Sequence, residues 1–323
     1  DERLGGQVQD RLVTLPDDPA AATEPTIAAR AAAQAEARVE VRYRTVEGAY
    51  GDGTRFSLRE PKITLLDLAG GPLAPETMQS ARLAPPVIGL GLLDAIPEET
   101  ILAAADPEDA DADEISGRAN RVWDRGRRQH TLGRFGWKAG QPNVDQQTAA
   151  ALEADLGVTS PLYPDVALDA AGAAPELSVT GVYPLTFYTQ ALAVPAVRNV
   201  DDPEVRRGAA LFAGAGCGSC HTTDFRTGPA VKTAFADQII RPYTDLLLHD
   251  MGEGLADNRP EGVADGQEWR TAPLWGTSLN GQVTGTETYL HDGRARSLLE
   301  AVLWHGGEAQ AQRDAVVAMA PGD

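Results

Sequence analysis

Cys217, Cys220 and His221 stand in the string G-C-G-S-C-H, and these two cysteines are all that the 323 residues contain. C-x-x-C-H is the attachment pattern of c-type haem. Two thiols at this spacing can add to the two vinyl groups of one porphyrin, and the adjacent imidazole then lies under the iron as an axial ligand. The rival chemistry is a thioredoxin-type dithiol, which follows a buried strand in a βαβ setting. The segment before Cys217 has a helical pattern instead. Asp202 suits a cap, Pro203 suits the first helical position, and Val205, Ala209 and Phe212 recur at helical spacing. Two cysteines also cannot form a disulfide framework.

An iron with His221 on one side needs an account of the other side. The downstream candidates are His249, Met251, His291, His305 and Met319. Ser297 with Glu300 reads as a capping box opening the helix S-L-L-E-A-V-L-W-H, which Gly306-Gly307 stops. Leu298, Ala301, Val302 and His305 then share one face. An imidazole on an apolar stripe needs a partner, either iron or the carbonyls of the helix end. Met251 is the second candidate, because Met/His ligation raises the potential of a cytochrome and suits electron transfer. Its alternative is a methionine filling a core gap. Arg294 could pair with a haem propionate, since guanidinium matches carboxylate geometry. His249 could do the same or sit in the core.

The elements that must position these groups fall in two halves. Residues 18–38 are Ala-rich and Pro-interrupted, a loop and a short helix. Residues 39–68 alternate (Val39, Val41, Tyr43, Thr45, then Phe56, Leu58, Ile63, Leu65) around the turn Tyr50-Gly51-Asp52-Gly53, which reads as a β-meander. Residues 69–97 are rich in Pro and Gly and wrap irregularly. Residues 143–157 form a helix capped by Asn143 with Gln146 three on. Residues 160–181 read as loop, 182–194 as a buried helix, and 195–202 as a linker between domains. A length of 323 allows about two domains. With 28 Lys+Arg against 47 Asp+Glu, the net charge of −19 excludes nucleic acid as a partner. No run of 18 apolar residues occurs, so no transmembrane helix is expected.

Four segments together resemble the bacterial di-haem oxidoreductase family, described as peroxidases or thiol oxidoreductases and related to di-haem cytochrome c peroxidases. They are G-R-F-G-W-K-A-G-Q-P (133–142), R-P-Y-T-D-L-L-L-H-D-M-G-E-G-L-A-D (241–257), E-W-R-T-A-P-L-W-G (268–276) and Y-L-H-D-G-R-A-R-S-L-L-E-A-V-L-W-H-G-G-E-A (289–309). The resemblance implies a mainly α protein of cytochrome c-like domains: an incomplete first domain over 1–195 with a β-rich insertion at about 39–68, and a second over 200–323 carrying C-x-x-C-H. It places His305 at the sixth-ligand position, counted from His291, with Met251 as the alternative. A His221/His305 iron is closed to substrate and relays electrons.

The family usually carries two C-x-x-C-H motifs. One haem c attached here therefore implies a second from sequence upstream of Asp1, where peroxide or another small-molecule oxidant would react. The resemblance puts the acidic residue for that proton movement near Asp155. It puts Trp137 between the haems, with a core aromatic as the alternative. Calcium between haem domains is a related-family feature, and Asp109, Asp111 and Asp113 offer oxygen ligands at alternate positions. The EF-hand pattern fails, however, because Glu114 replaces its Gly and Asn120 its twelfth-position Glu. Thioether attachment implies a periplasmic protein, and the acidic surface implies a small redox protein docking through basic residues. The alternative of a different class is a non-enzymatic mono-haem electron carrier.

Overall fold

The computed structural model describes residues 36–164, 174–230, 232–320 and 322. Most of the Ala-rich stretch 18–38 and part of the 160–181 loop lie outside the described residues. The described residues open with β1 (Arg38–Ala49) and β2 (Arg55–Leu66), followed by α1 (Leu90–Asp94), α2 (Glu98–Leu102), β3 (Arg121–Asp124), β4 (Gln129–Leu132), α3 (Val144–Leu156) and α4 (Val179–Ala191). Then come α5 (Pro203–Gly214), β5 (Phe225–Arg226), β6 (Ile239–Ile240), β7 (Leu248–Asp250), β8 (Glu268–Arg270), α6 (Asn280–Thr284), α7 (Leu298–Leu303) and α8 (Gln310–Val317). Among the described residues the strands pair antiparallel in four separate two-stranded sheets, β1-β2, β3-β4, β5-β6 and β7-β8.

This overturns the expectation of a mainly α, cytochrome c-like architecture. Helix makes up 29% and strand 18%, so neither class dominates. Among the described residues the longest helices, α3 and α4, have 13 residues each. The reason lies in the segments between them. Pro72, Pro75, Pro85 and Pro86 interrupt one stretch, and Gly252, Gly254, Pro260, Gly262 and Gly266 another, so neither can propagate a helix.

Where caps exist, helices start on them. Asn143 Oδ1 accepts from Gln146 N–H at 2.8 Å to open α3, and Asp202 Oδ1 accepts from Glu204 N–H at 2.9 Å to open α5, with Pro203 first. Helix α4 departs from its expected bounds. Ser178 caps it, so it starts before Pro184 rather than after. Only Val182, Thr186 and Gln190 are buried in it, while Tyr183, Phe187 and Tyr188 are exposed. A stripe at i, i+4, i+8 is enough to hold a helix against α1 and α3.

The expected meander is one long hairpin, in register Val41↔Ile63, Val46↔Leu58 and Gly48↔Phe56. Its outer half is exposed and its turn end is the anchored part. Leu58 is buried, and Val46, Tyr50 and Phe56 pack with it against Trp269, Leu303 and Trp304. Glycine is required at 48, because a Cβ there would lie 2.2 Å from the Phe56 ring. Backbone and arginine bonds fasten the same end. Gly51 N–H donates to Val317 O at 2.9 Å, Arg59 donates to the carbonyls of Gly293 and Arg294, and Arg296 donates to Ser57 O at 2.8 Å. A second core joins Leu93, Ile96, Ile101, Leu132, Phe135 and Val144 to Phe225, Ile240, Leu246 and Leu247. Among the described residues, no helix is long and apolar enough to cross a membrane.

Candidate functional site

Helix α5 delivers the chain to Gly216, which turns it in the left-handed region (φ 76°) into a single tight turn over Cys217–Ser219. His221 N–H closes that turn on Cys217 O at 3.0 Å. The two thiols are half-buried and not joined to each other. The His221 Nδ1–H donates to Tyr243 O at 2.8 Å. Phe212, one of the residues recurring at helical spacing, packs edge-on against both the His221 and Tyr243 rings, at 6.3 and 5.8 Å. Its Nδ1 thus committed, His221 Nε2 makes no hydrogen bond among the described residues. Burial is the main force that drives its pKa down to about 4, against the pull of the Tyr243 carbonyl, and the nearby His305 adds to the fall. The imidazole is therefore neutral, the form that ligates metal.

His305 is built the same way from the other side of the chain. It stands one residue past Trp304, the C-cap of α7. Its Nδ1–H donates to Ala301 O at 2.7 Å, which leaves Nε2 free. Burial lowers its pKa, with the Ala301 carbonyl opposing. The capping box is only half formed. Ser297 Oγ accepts from Glu300 N–H at 3.1 Å, but the Glu300 carboxylate reaches back to Arg296 N–H rather than to Ser297. The expected face also shifts: Leu298 is exposed, and Leu303 and Trp304 are the buried pair. His305 and Met251 both line a cavity of about 240 Å³, together with Val46 and Leu58 of the hairpin and with Trp304 and Arg313, whereas Cys217, Cys220 and His221 do not reach it. Two lining residues also carry buried donors, Trp304 Nε1 and Arg313 Nε, that have no hydrogen-bond partner among the described residues. Free thiols at the attachment spacing and two imidazoles whose Nδ1 atoms are committed to backbone carbonyls fit a covalently bound haem.

His249, left open between a propionate contact and the core, has its ring nitrogens committed elsewhere. It is buried, and its two ring nitrogens are taken by carboxylates, Nε2 by Asp245 Oδ2 and Nδ1 by Glu308 Oε2, each at 2.7 Å. Cys220 Sγ lies 3.5 Å from the same Nδ1. Burial alone would make His249 neutral, but the bonds to Asp245, Cys220 and Glu308 overcome it and push its pKa up to about 12. Glu308 also accepts from Ser116 N–H and Oγ–H. This clamp ties the loop at 116, β7 and the turn after His305 together beside the attachment site. Its nearest sequence signal is the spacing Asp245 to His249. The chain between them is not helical, and Leu246 sits at φ 64°.

The other predicted residues are dispersed. Trp137 is half-buried, donates Nε1–H to Leu83 O at 2.6 Å and meets the His291 ring edge-on at 6.4 Å. His291 stacks on Trp269 at 3.8 Å, and burial drives its pKa down to about 4. Arg294 turns its fork on Asp292 (2.7 and 2.9 Å) and on the Gly254 carbonyl, and lies 4.7 Å over the Trp304 ring. Asp155 is exposed in the last turn of α3, and Met319 is half-buried just past α8. Of the acidic loop, Asp106, Asp109 and Asp111 bring oxygens within 4.8 Å of one another, a set that takes in Asp106 and leaves out Asp113. Asp113 Oδ1 instead accepts from Ile115 N–H. His130 is exposed on β4 beside Trp123.

Residues 28–323 match the model of the family described as di-haem oxidoreductase, putative peroxidase. The chain belongs to this family. No curated protein and no solved structure gives a match. The family match takes in the hairpin as well as the Cys217–His221 turn and the His305 segment, so the cavity-lining residues of this di-haem oxidoreductase all fall within the matched region.

Proposed function

We propose that this di-haem oxidoreductase chain carries one haem c on Cys217 and Cys220, with His221 and His305 as axial ligands, and relays electrons to a second haem that reduces peroxide. The observation that carries the reading is the pairing of the imidazoles. Each has Nδ1 fixed on a backbone carbonyl and Nε2 free, and the charge of one acts on the other. A haem bound there supplies storage for one electron. The chain's own part is orientation: Tyr243 and Ala301 carbonyls set the two rings, and burial keeps both neutral so that their lone pairs remain available. Two imidazoles leave no open position for substrate. Since both cysteines serve one haem, the oxidant is assigned to another, and the family's description supports peroxide as that oxidant. Covalent attachment supports a periplasmic location. The net charge of −19 supports a partner docking through basic residues, more weakly at high salt.

The test is production in a host equipped for cytochrome maturation. Denatured protein is then weighed for porphyrin mass, and reduced-minus-oxidised spectra are taken with and without CO. The expected result is haem retained after denaturation, inert to CO in the wild type and CO-reactive in His305→Ala. Absence of porphyrin mass refutes the reading. If His305→Ala stays inert and Met251→Ala becomes reactive, the ligand is Met251. If the full protein has no ligand-binding iron at all, it is an electron carrier rather than a peroxidase.

A further inference from the structure

Hairpin β1-β2 is a sheet of two strands, so among the described residues neither outer edge has a neighbouring strand. The two edges differ. β2 carries Pro61, which has no N–H to give, with the charged Lys62 beside it, and both protect an edge. β1 runs Arg38–Ala49 without a proline, and its register with β2 is unbroken. An unpaired strand of this kind is a template for another strand.

Along the outer half of β1 the side chains alternate in character. Val39, Val41 and Tyr43 lie on one face, 37%, 45% and 49% exposed, opposite Leu65, Ile63 and Pro61 of β2. Arg38, Glu40, Arg42 and Arg44 lie on the other face. An apolar stripe and a charged stripe of mixed sign thus flank one free backbone edge. The segment Arg38–Leu66 holds six Lys+Arg against four Asp+Glu, in a chain of 28 against 47. Two copies that meet here therefore do not meet through their acidic excess.

We infer that β1 pairs antiparallel with β1 of a second copy about a two-fold axis at Val41, giving a four-stranded sheet β2-β1-β1-β2. The side chains select the register. Residues opposite each other in an antiparallel pair share a face, so an axis lying between two residues sets the apolar stripe against the charged one. An axis at Glu40 opposes Arg38 to Arg42, one at Arg42 opposes that residue to itself, and one at Tyr43 opposes Arg42 to Arg44. An axis at Val39 keeps only three residues of β1 in the pairing. The axis at Val41 pairs seven, Arg38 to Arg44, with Glu40 against Arg42 twice, Val39 against Tyr43 twice, and Val41 on itself. It also sets Arg38 against Arg44, but each has a carboxylate in its own copy, Asp67 and Glu60 respectively. The contact is isologous, since the same strand serves both sides. It does not depend on the haem reading.

The test is analytical ultracentrifugation of the full chain from ~1 to ~100 µM, a range in which a small interface of this kind dimerises. Glu40→Arg opposes arginines across the axis, and Arg42→Glu opposes glutamates. Each variant alone weakens self-association about tenfold. Mixed one to one, the two variants associate with each other as tightly as wild type, because opposite charges then face at both positions. A variant that had merely lost its fold is not rescued by mixing. The double variant Glu40→Arg/Arg42→Glu dimerises like wild type for the same reason. A chain that stays monomeric at ~100 µM overturns the inference. A dimer that both single variants leave intact overturns it too, by placing the contact on another surface, as does a mixture that stays monomeric.

Discussion

His249 offers the sharpest test of the packing beside the attachment turn. Held between Asp245 and Glu308 at 2.7 Å on each side, it stays protonated in the folded chain up to a pKa of about 12. In the unfolded chain it titrates near 6.5. A folded pKa above the unfolded one gives stability that is complete below about pH 6.5 and is lost as pH rises toward the folded value. Between pH 7 and 9 the unfolded histidine is mostly neutral while the folded one still holds its proton, so the loss approaches one proton's slope, about 1.36 kcal/mol per pH unit. Integrated over that interval, it amounts to about 2.5 kcal/mol. The figure requires only that the folded pKa stay well above 9.

The assay is urea unfolding of wild type and His249→Gln at pH 7 and at pH 9. The wild type should lose about 2.5 kcal/mol more than the variant across the interval. At pH 7 the variant should itself be weaker by about 3–5 kcal/mol, because two buried carboxylates have lost their common cation. Parallel pH dependences in the two proteins would refute the protonated clamp and leave a neutral histidine between two ionised carboxylates.

Two further outcomes follow from other buried charges. Lys138 is fully buried, with Nζ 2.8 Å from Asp257 Oδ1 and 2.5 Å from Asp265 O. Lys138→Met should cost about 3 kcal/mol by thermal unfolding, and a loss under about 1 would mean that the Arg82 pair with Asp257, at 3.1 Å, suffices alone. At the acidic loop, the oxygens of Asp106, Asp109 and Asp111 already accept backbone N–H bonds from Ala110, Glu114 and Asp113. Calcium must compete with these, so calorimetry should show binding no tighter than about 10⁻⁴ M, and no heat at millimolar calcium ends the assignment.

The legible features were those carried by a few neighbouring residues. Asn143, Asp202 and Ser297 each cap the helix they announce, because a cap is a contact across two or three positions. The hairpin followed from alternation and a Gly-Asp-Gly turn. The fold class did not. The family motifs at 241–276 occupy irregular backbone, and no periodicity marks a segment whose hydrogen bonds go to distant loops, as Arg118 N–H to Leu248 O and Asn120 Nδ2–H to Glu261 O do. The phase of α7 was misread for a related reason. A helix of six residues gives its terminal turn to whatever packs there, and the hairpin base takes Leu303 and Trp304.

The same long-range bonds explain how a site can be rigid without long helices. Tyr243 sits at φ 56° and Leu246 at φ 64°, conformations that β-branched or bulky side chains rarely adopt unaided. They are held because Thr244 Oγ–H donates to Thr271 O at 2.6 Å and Leu247 N–H to Asp245 Oδ1 at 2.9 Å, while Asp245 also grips His249. The carbonyl that orients His221 is therefore positioned through Thr244, Thr271 and Asp245, the last of which also acts on the charge of the His221 ring. Glu308, three residues beyond His305, closes the clamp on His249 from the other flank. The turns bearing the two histidines are thus both adjacent to one ion cluster, Asp245, His249 and Glu308, rather than to a helix bundle. On the proposed haem reading, Asp245→Asn or Glu308→Gln should change the haem spectrum as well as lower the unfolding midpoint, and a variant that only loses stability would show that the cluster does not position the two histidines.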